Sequence, residues 1–240
     1  MLNKLKILAV IPARSGSKRV KNKNIKKVFG KPLIYYSIAH AKKIKLIDKV
    51  IVSTDSEKYK SIAENYGAEV PFLRPKNISK DNSSDVDLFL HLLTWLTKND
   101  SFFPDICVHF RPTTPIRNVN ESIKAIKTLA NNKNFDSLRS IDAYNSFDPY
   151  KIYNKLENNS INSIMPDIRK KNQDYLKNKQ SKYSNKYYTH NGNIDVIWSK
   201  TIMLQKSISG KKILGFLTKS KSIDINYQSD FNLLRKNFKF

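Results

Sequence analysis

Apolar runs of strand length alternate with stretches of helical periodicity over roughly the first 140 residues, the pattern of a largely parallel sheet with helices on its faces. The runs Lys6–Ile11, Lys49–Thr54, Glu69–Phe72, Ile106–Phe110 and Ser137–Ile141 read as strands. Between them, Pro32 at a first-turn position opens a helix that runs to about Lys43, and Ser56–Tyr66 forms a second that Gly67 ends. Ser84 or Asp85 caps a third helix whose buried face is Val86, Phe89, Leu90, Leu93 and Leu96, and Asn118 starts a fourth that reaches about Ala130. The alternation stops at Tyr144–Tyr188, a polar stretch rich in Asn and Lys and interrupted by Pro149 and Pro166. It resumes with strands at Ile194–Trp198, Ile213–Leu217 and Ser222–Ile225 and a last helix near Ser229–Asn237. The expectation is one α/β domain over residues 1–240, with 144–188 as an insertion or flap.

Bulk properties narrow the function. No apolar run approaches the roughly 18 to 20 residues of a membrane span, and the apolar run after Met1–Lys6 is too short for a signal peptide. A cytoplasmic location is the expectation. The single cysteine, Cys107, excludes an internal disulfide framework and lies in a strand as an inert thiol. The formal charge of +24 invites a nucleic-acid reading, but the lysines are spread over the whole length and not gathered in a tail, so no nucleic-acid or membrane partner is expected. Such a field still concentrates a polyanionic small molecule.

The most informative stretch leaves the first strand: Ile11-Pro12-Ala13-Arg14-Ser15-Gly16-Ser17-Lys18-Arg19-Val20-Lys21-Asn22-Lys23-Asn24. Small residues let backbone N–H groups approach an anion, and Arg14, Lys18, Arg19 and Lys23 supply charge. The loop has neither the Gly-x-x-x-x-Gly-Lys-Ser/Thr of a P-loop nor the Gly-x-Gly-x-x-Gly of a dinucleotide fold. A second block, Arg111-Pro112-Thr113-Thr114-Pro115-Ile116-Arg117, follows the predicted fourth strand, and its two prolines fix the backbone so that hydroxyls and flanking guanidinium groups point at a ligand.

These blocks resemble the signatures of the N-acylneuraminate cytidylyltransferases, through Pro12-Ala13-Arg14, Gly16-Ser17-Lys18, Lys23-Asn24, Gly30-Lys31-Pro32-Leu33 and the Arg111–Arg117 block. Val52-Ser53-Thr54-Asp55, Leu73-Arg74-Pro75 with Asp81 and Ser83-Ser84, Asn191-Gly192, and Ser222-Ile223-Asp224-Ile225-Asn226 continue the likeness in order. The resemblance implies a three-layer, Rossmann-like, mostly parallel sheet of the nucleotide-diphospho-sugar transferase type with a dimerisation protrusion, and a homodimer. It implies transfer of CMP from CTP to a nine-carbon keto-acid sugar of the sialic, legionaminic or pseudaminic type, with release of pyrophosphate, for surface-glycan synthesis.

By the same resemblance Arg14, Lys18 and Lys23 are catalytic. The nucleotide is held by Ala13, Arg14, Ser15, Gly16, Asn24, Arg74 and Ser84, the sugar by Arg111, Thr113, Asn191 and Asp195, and Mg²⁺ by Asp224 and Asn226. Where the family commonly has Asp-x-Asp this chain has Asp224 and Asn226, an anionic ligand beside an amide. Asp230 reads as a first-turn residue of the last helix and not as a ligand. Many sialic-acid enzymes carry an aromatic residue where Asp195 falls, and the nearest candidate for an Arg-Gln pair expected in the insertion is Lys179-Gln180. Two rivals stand beside this reading. One is a CMP-Kdo synthetase, whose shorter Ser-x-Arg-Leu-Pro-Gly-Lys-Pro run contrasts with the inserted Lys21-Asn22-Lys23-Asn24; the other is an inactive nucleotide-binding relative, suggested by Asn226.

Overall fold

The computed structural model describes residues 5–144, 153–155, 160–163, 187–220 and 222–238. Two compact units are distinguished, Met1–Ile141 with His190–Phe240, and Asp142–Thr189. The first is built on a six-stranded sheet. In chain order its strands are β1 (Ile7–Pro12), β4 (Lys49–Ser53), β5 (Ile106–His109), β6 (Ser137–Tyr144), β9 (Tyr187–Trp198) and β10 (Ile213–Leu217). Their order across the sheet is β10-β6-β9-β5-β1-β4. β1 runs parallel to both β4 and β5, β10 runs parallel to β6, and β9 is antiparallel to β5. The Asp142–Thr189 unit contains an antiparallel pair, β7 (Tyr153–Lys155) with β8 (Ile161–Ser163). Lys179 and Gln180, with most of the 144–188 segment, lie outside the described residues.

Strand β1 is apolar on both sides because helices cover both faces of the sheet. Ile7, Ala9 and Ile11 join a core that includes Ile34 and Ile38 of α1 (Leu33–Lys42), Tyr59 of α2 (Glu57–Asn65) and Ile126 of α4 (Val119–Asn131). The intervening Leu8 and Val10 face the opposite core, with Leu88 and Leu92 of α3 (Asp85–Asn99) and Ile202 of α5 (Ser199–Gln205). Period-two alternation within one strand thus feeds two separate cores. Side-chain caps start three helices where the sequence placed them: Ser56 accepts from Tyr59, Ser84 forms a capping box with Asp87, and Asn118 accepts from Glu121.

Three expectations are corrected, and elements appear that the sequence did not suggest. Helix α3 buries Leu88, Phe89, Leu92, Leu93 and Leu96, with Leu90 partly buried against the same cluster; Leu88 and Leu92 join the inner face in place of Val86, and the cluster is shared with the short helix α5, which periodicity had not revealed. The run Glu69–Phe72 makes no strand of its own; it touches the sheet through isolated bridges, Ile51 to Glu69 and Thr54 to Leu73. The tight pair β2 (Lys27–Val28) and β3 (Lys31–Pro32) was also not foreseen. It turns through Phe29 and Gly30, both at positive φ, the primed geometry that glycine makes accessible. Residues Ser222–Ile225 form no strand and do not join the sheet; they are tied to the Arg111–Arg117 block by a hydrogen bond from Ile225 N to Thr113 O at 2.8 Å. Helix α6 (Gln228–Asn237) follows, and the Asp230 carboxylate accepts from Asn226 N and Tyr227 N at 2.7 Å, confirming Asp230 as a capping residue.

Candidate active site

The parallel register places Pro12 beside Ser53 and Val10 beside His109, while antiparallel β9 brings Asp195 beside His109. The carboxyl ends of β1, β4 and β5 therefore converge, the place where open α/β sheets bind ligands. Two cavities lie there. One of about 510 Å³ is lined by Arg14, Ser17, Lys18, Arg19, Lys23, Asp81 and Asn226, with Val20. The other, of about 200 Å³, includes Asn24, Arg74, Lys80, Ser83, Ser84, Asp85, Arg111 and Thr113. Both share Arg14, Ser17 and Lys23, so they form one cleft along the loop that leaves β1.

The loop is held from beneath. Ser15 donates to Asp55 twice, from N at 2.7 Å and from Oγ at 2.9 Å, and Ala13 N donates to Ser53 O at 2.9 Å. Buried Asn24 donates to Arg14 O at 3.0 Å, closing the loop on itself. Asp55, the last residue of the Val52–Asp55 motif, is thus the anchor that orients Ser15. Gly16 is exposed and packs beside Arg14, whose Nη1 donates to Gly16 O at 3.2 Å.

Above this base stand the cations. Lys23 is half-buried and donates to Ile225 O at 3.1 Å, linking the loop to the Asp224–Asn226 segment. Burial lowers its pKa, a shift that the nearby Asp224 carboxylate opposes. Arg14 and the exposed Lys18 both pair with Asp81, each at 2.6 Å. Hydrogen bonds from Lys18 and Arg14 hold the Asp81 carboxyl below the usual range. In the protein alone this carboxylate sits among the groups that a phosphate would use. Arg74 is buried, with Nε donating to Ser53 Oγ at 3.1 Å; burial draws its pKa down to about 10, so it remains cationic at neutral pH.

Ser84 lines the smaller cavity, yet its hydroxyl is engaged in the α3 capping box, accepting from Asp87 N at 3.1 Å and donating to Asp87 Oδ2 at 2.8 Å. Thr113 and Arg111 line the same cavity. Asn191 lies apart from the two cavity linings, its amide donating to Thr218 Oγ1 at 2.7 Å and its oxygen accepting from Asn193 N at 3.1 Å. Asp195 is fully buried, and its oxygens face Arg111 and His190 at 2.6 and 2.9 Å. Burial opposes its ionisation, but the His190 hydrogen bond and the Arg111 charge outweigh it and hold the carboxyl well below the carboxylate range.

Arg117 does not point at a ligand. Its Nε donates to Asn193 O at 2.6 Å and its Nη1 to Ser37 Oγ at 3.1 Å, and its guanidinium lies over the Phe110 ring. Burial, with the neighbouring charge of Arg111, lowers its pKa to about 9. It fastens the Arg111–Arg117 block to its neighbours. Gly192, at φ +70°, lets β9 pass this block closely: a Cβ there would meet Thr114 Oγ1 at 3.3 Å.

Asp224 is exposed and accepts from Asn226 Nδ2 at 2.7 Å, so the two side chains share one side although they lie outside any strand. One carboxylate and one amide beside a cation-lined cavity match Mg²⁺, which takes few protein ligands and completes its shell with phosphate oxygens and water. No group of three or more His, Cys, Asp or Glu suited to a metal occurs among the described residues. Arg19, which the sequence offers as a loop cation, and Asp81, which it offers within a motif, line the cleft; Lys80 and Asp85 join them with no signal beyond their nearness in sequence to Asp81 and Ser84.

The chain is 34% identical over 229 residues to an N-acylneuraminate cytidylyltransferase of Escherichia coli, covering 95% of this chain and 51% of that protein. It is 30% identical over 235 residues to a CMP-N,N'-diacetyllegionaminic acid synthase of Legionella pneumophila, covering 97% of this chain and 96% of that protein. The chain thus spans about half the length of the first relative and nearly all of the second. A CMP:2-keto-3-deoxy-manno-octonic acid synthetase solved with CTP shares the fold, with a TM-score of 0.69 at 15% identity over 96% of this chain and 97% of that one. A 4-diphosphocytidyl-2C-methyl-D-erythritol synthase from Anaerococcus prevotii superposes with a TM-score of 0.64 at 13% identity, over 98% of this chain and 96% of that one. The cytidylyltransferase family model matches residues 8–213, which with these relatives and the cation-lined loop at the tip of β1 places the chain in the cytidylyltransferase family.

Proposed function

We propose that the protein transfers CMP from CTP to the anomeric hydroxyl of a nonulosonic acid, giving a CMP-sugar and pyrophosphate. The observation that carries this reading is the gathering of Arg14, Lys18, Arg19 and Lys23 around a cavity of about 510 Å³ that opens into a second cavity flanked by Arg74 and Arg111. In that arrangement the triphosphate lies along the β1 loop. The cytidine reaches toward Arg74 and the edge of α3, and the sugar meets the Arg111–Arg117 block.

The anomeric oxygen forms a bond to the α-phosphorus while the bond from that phosphorus to the bridging oxygen of the pyrophosphate breaks; the hydroxyl proton is released. Charge accumulates on the departing oxygens, and preorganised cations stabilise it without reorganising. Lys23 suits this role because burial keeps water from screening it and its bond to Ile225 O limits its rotamers. Arg14 and Lys18 exchange Asp81 for phosphate oxygens. Held by Asp224 and Asn226, Mg²⁺ would add positive charge at the phosphates. A cytoplasmic homodimer, with residues 144–188 as the contact segment, belongs to the same reading; it is supported by the resemblance and by the separate compactness of Asp142–Thr189.

Pyrophosphate release with CTP, Mg²⁺ and a panel of sialic, legionaminic, pseudaminic and Kdo sugars tests the reaction. Turnover with a nine-carbon acid and not with Kdo is the expected result, and preference for Kdo overturns the choice of sugar. Asn226 favours one second reading, a nucleotide-binding relative without catalysis, and CTP binding with no turnover on any sugar would establish it.

A further inference from the structure

Beside the cleft lies a cluster of charge that the transfer chemistry does not use. Asp195 is fully buried on β9, where its backbone pairs with His109 of β5. Arg111 Nη1 donates to its Oδ2 at 2.6 Å and the His190 ring lies 2.9 Å from its Oδ1. Arg139 Nε stands 4.0 Å away and makes no hydrogen bond. His109 Nδ1 is 3.7 Å from Asp195, but burial takes that imidazole to about pKa 4, so it is neutral and does not balance the carboxylate. Asp195 is absent from the linings of both cavities, whereas Arg111 belongs to one. The carboxylate therefore stands behind the guanidinium and not beside a ligand.

The charges around Arg111 set what it can recognise. One carboxylate bonds it from behind, and a second, Asp85, lies 3.5 Å from its Nη2 at the cavity edge. Two carboxylates at 2.6 and 3.5 Å offset its positive charge, although Asp195 is shared with Arg139, so its pull on an anion is weakened while its N–H groups still donate. Lys23 and Arg74, in the same cavity lining, bond to Ile225 O and to Ser53, and no carboxylate lies within ion-pair distance of either among the described residues. Carboxylates act on both only from beyond contact distance, Asp224 on Lys23 and Asp55 and Asp85 on Arg74, so the keto-acid carboxylate belongs with these cations, which no carboxylate contacts directly.

We propose that Asp195 is a positioning residue: it holds Arg111 as a charge-balanced donor that selects an uncharged acceptor oxygen on the sugar, such as an acyl carbonyl, and not the sugar's carboxylate. This rests on the CMP-transfer reading above. Asp195 acts through Arg111 and touches no substrate itself.

The experiment measures pyrophosphate release by wild type, Asp195→Asn, Arg111→Gln and the double variant, with two nonulosonic acids that differ only in bearing an N-acyl group or a hydroxyl at one carbon. In Asp195→Asn the KM for the acylated sugar rises about tenfold, the size of one misplaced charged hydrogen bond. Discrimination between the two sugars narrows, while kcat and the KM for CTP stay within about twofold of wild type. The double variant loses no more than Arg111→Gln alone, because the partner through which Asp195 acts is already gone. An unchanged sugar KM, a parallel rise in the KM for CTP, or losses that multiply in the double variant each overturn the proposal. Should Asp195→Asn not fold, the double variant against Arg111→Gln decides: equal sugar KM supports the assignment and a further rise overturns it. A wild type inactive with every sugar overturns both this proposal and the reaction; an active wild type with a normal Asp195→Asn overturns this one alone.

Discussion

The tip of β1 and the core behind Arg111 both gather charged groups, and they do opposite things with them. At the tip, Lys18 is almost fully exposed, and Arg14 and Lys18 share the exposed carboxylate of Asp81. Water screens such pairs and they contribute little net stability, so a phosphate can replace Asp81 at small cost. Behind Arg111, Asp195 is fully buried and its partners are fixed. Removing one partner there strands a charge away from water, which is expensive. Exposure thus separates cations available to a ligand from charges that shape the wall around it. Lys23 lies between the extremes, partly desolvated and tied to a backbone oxygen yet facing the cavity, which is where a catalytic cation is most effective.

If that contrast holds, the largest effect comes from the intermediate case. Lys23→Ala should lower kcat by roughly 10²- to 10³-fold, the loss typical of one preorganised charge-stabilising group, with the thermal unfolding midpoint nearly unchanged. Near-normal steady-state kinetics would remove Lys23 from the reaction and blur the distinction between the two regions.

The buried side is tested next by acid. His109 and His40 have pKa values lowered to about 4 and about 3, in both cases chiefly by burial. His40 is held by Ser122 Oγ at 2.9 Å. With folded pKa values below the unfolded value, the unfolded chain binds more protons, so the stability that these groups contribute is full above about pH 6.5 and falls as pH drops toward the folded values. At pH 5 each histidine costs about 2 kcal/mol. The depressed carboxyl of Asp195 adds a further loss at lower pH, because its ionised form is the one the fold stabilises. Urea unfolding across pH 7 to 5 measures this, and a flat profile would mean that the buried groups exchange protons like exposed ones.

A smaller change is expected at the metal position. Asn226→Asp places a second carboxylate beside Asp224, which now accepts from the amide at 2.7 Å. The Mg²⁺ concentration for half-maximal activity should fall about three- to tenfold, and coincident metal titrations of the two forms would place residue 226 away from any ion. The smallest effect is at the exposed pair. Asp81→Asn removes the carboxylate that competes with phosphate and should lower the KM for CTP about two- to fourfold, with the difference vanishing in high salt. A rise in that KM would show Asp81 to be a ligand-binding group and not a stand-in.

Much of this organisation was legible from local pattern. The β1 run, the helix that begins at Ser56, the Ser84 and Asn118 caps and the apolar strands appear where periodicity and cap chemistry put them, because these signals act over a few residues. Less legible was what depends on distant chain. Ser222–Ile225 has the alternation of a strand but stays outside the sheet, tied to Thr113 O through Ile225 N. The inner face of α3 is set by α5, a helix more than a hundred residues further on. In the cleft, the cationic loop was readable because its residues are contiguous, whereas Arg117, with the same charge as Arg14, is spent on Asn193 O and Ser37.

By itself the sequence determined the α/β class, the loop at the end of the first strand, and the family to which its motifs belong, because short-range periodicity and contiguous residue chemistry survive without knowledge of neighbours. Only the tertiary structure decided that Asp55 anchors Ser15, that Asp81 bridges Arg14 and Lys18, and that Asp195 faces Arg111 from inside the core. Those pairings join residues 40 to 84 positions apart, and whether a charge meets water or a partner across such a gap is settled by packing, not by its place in the chain.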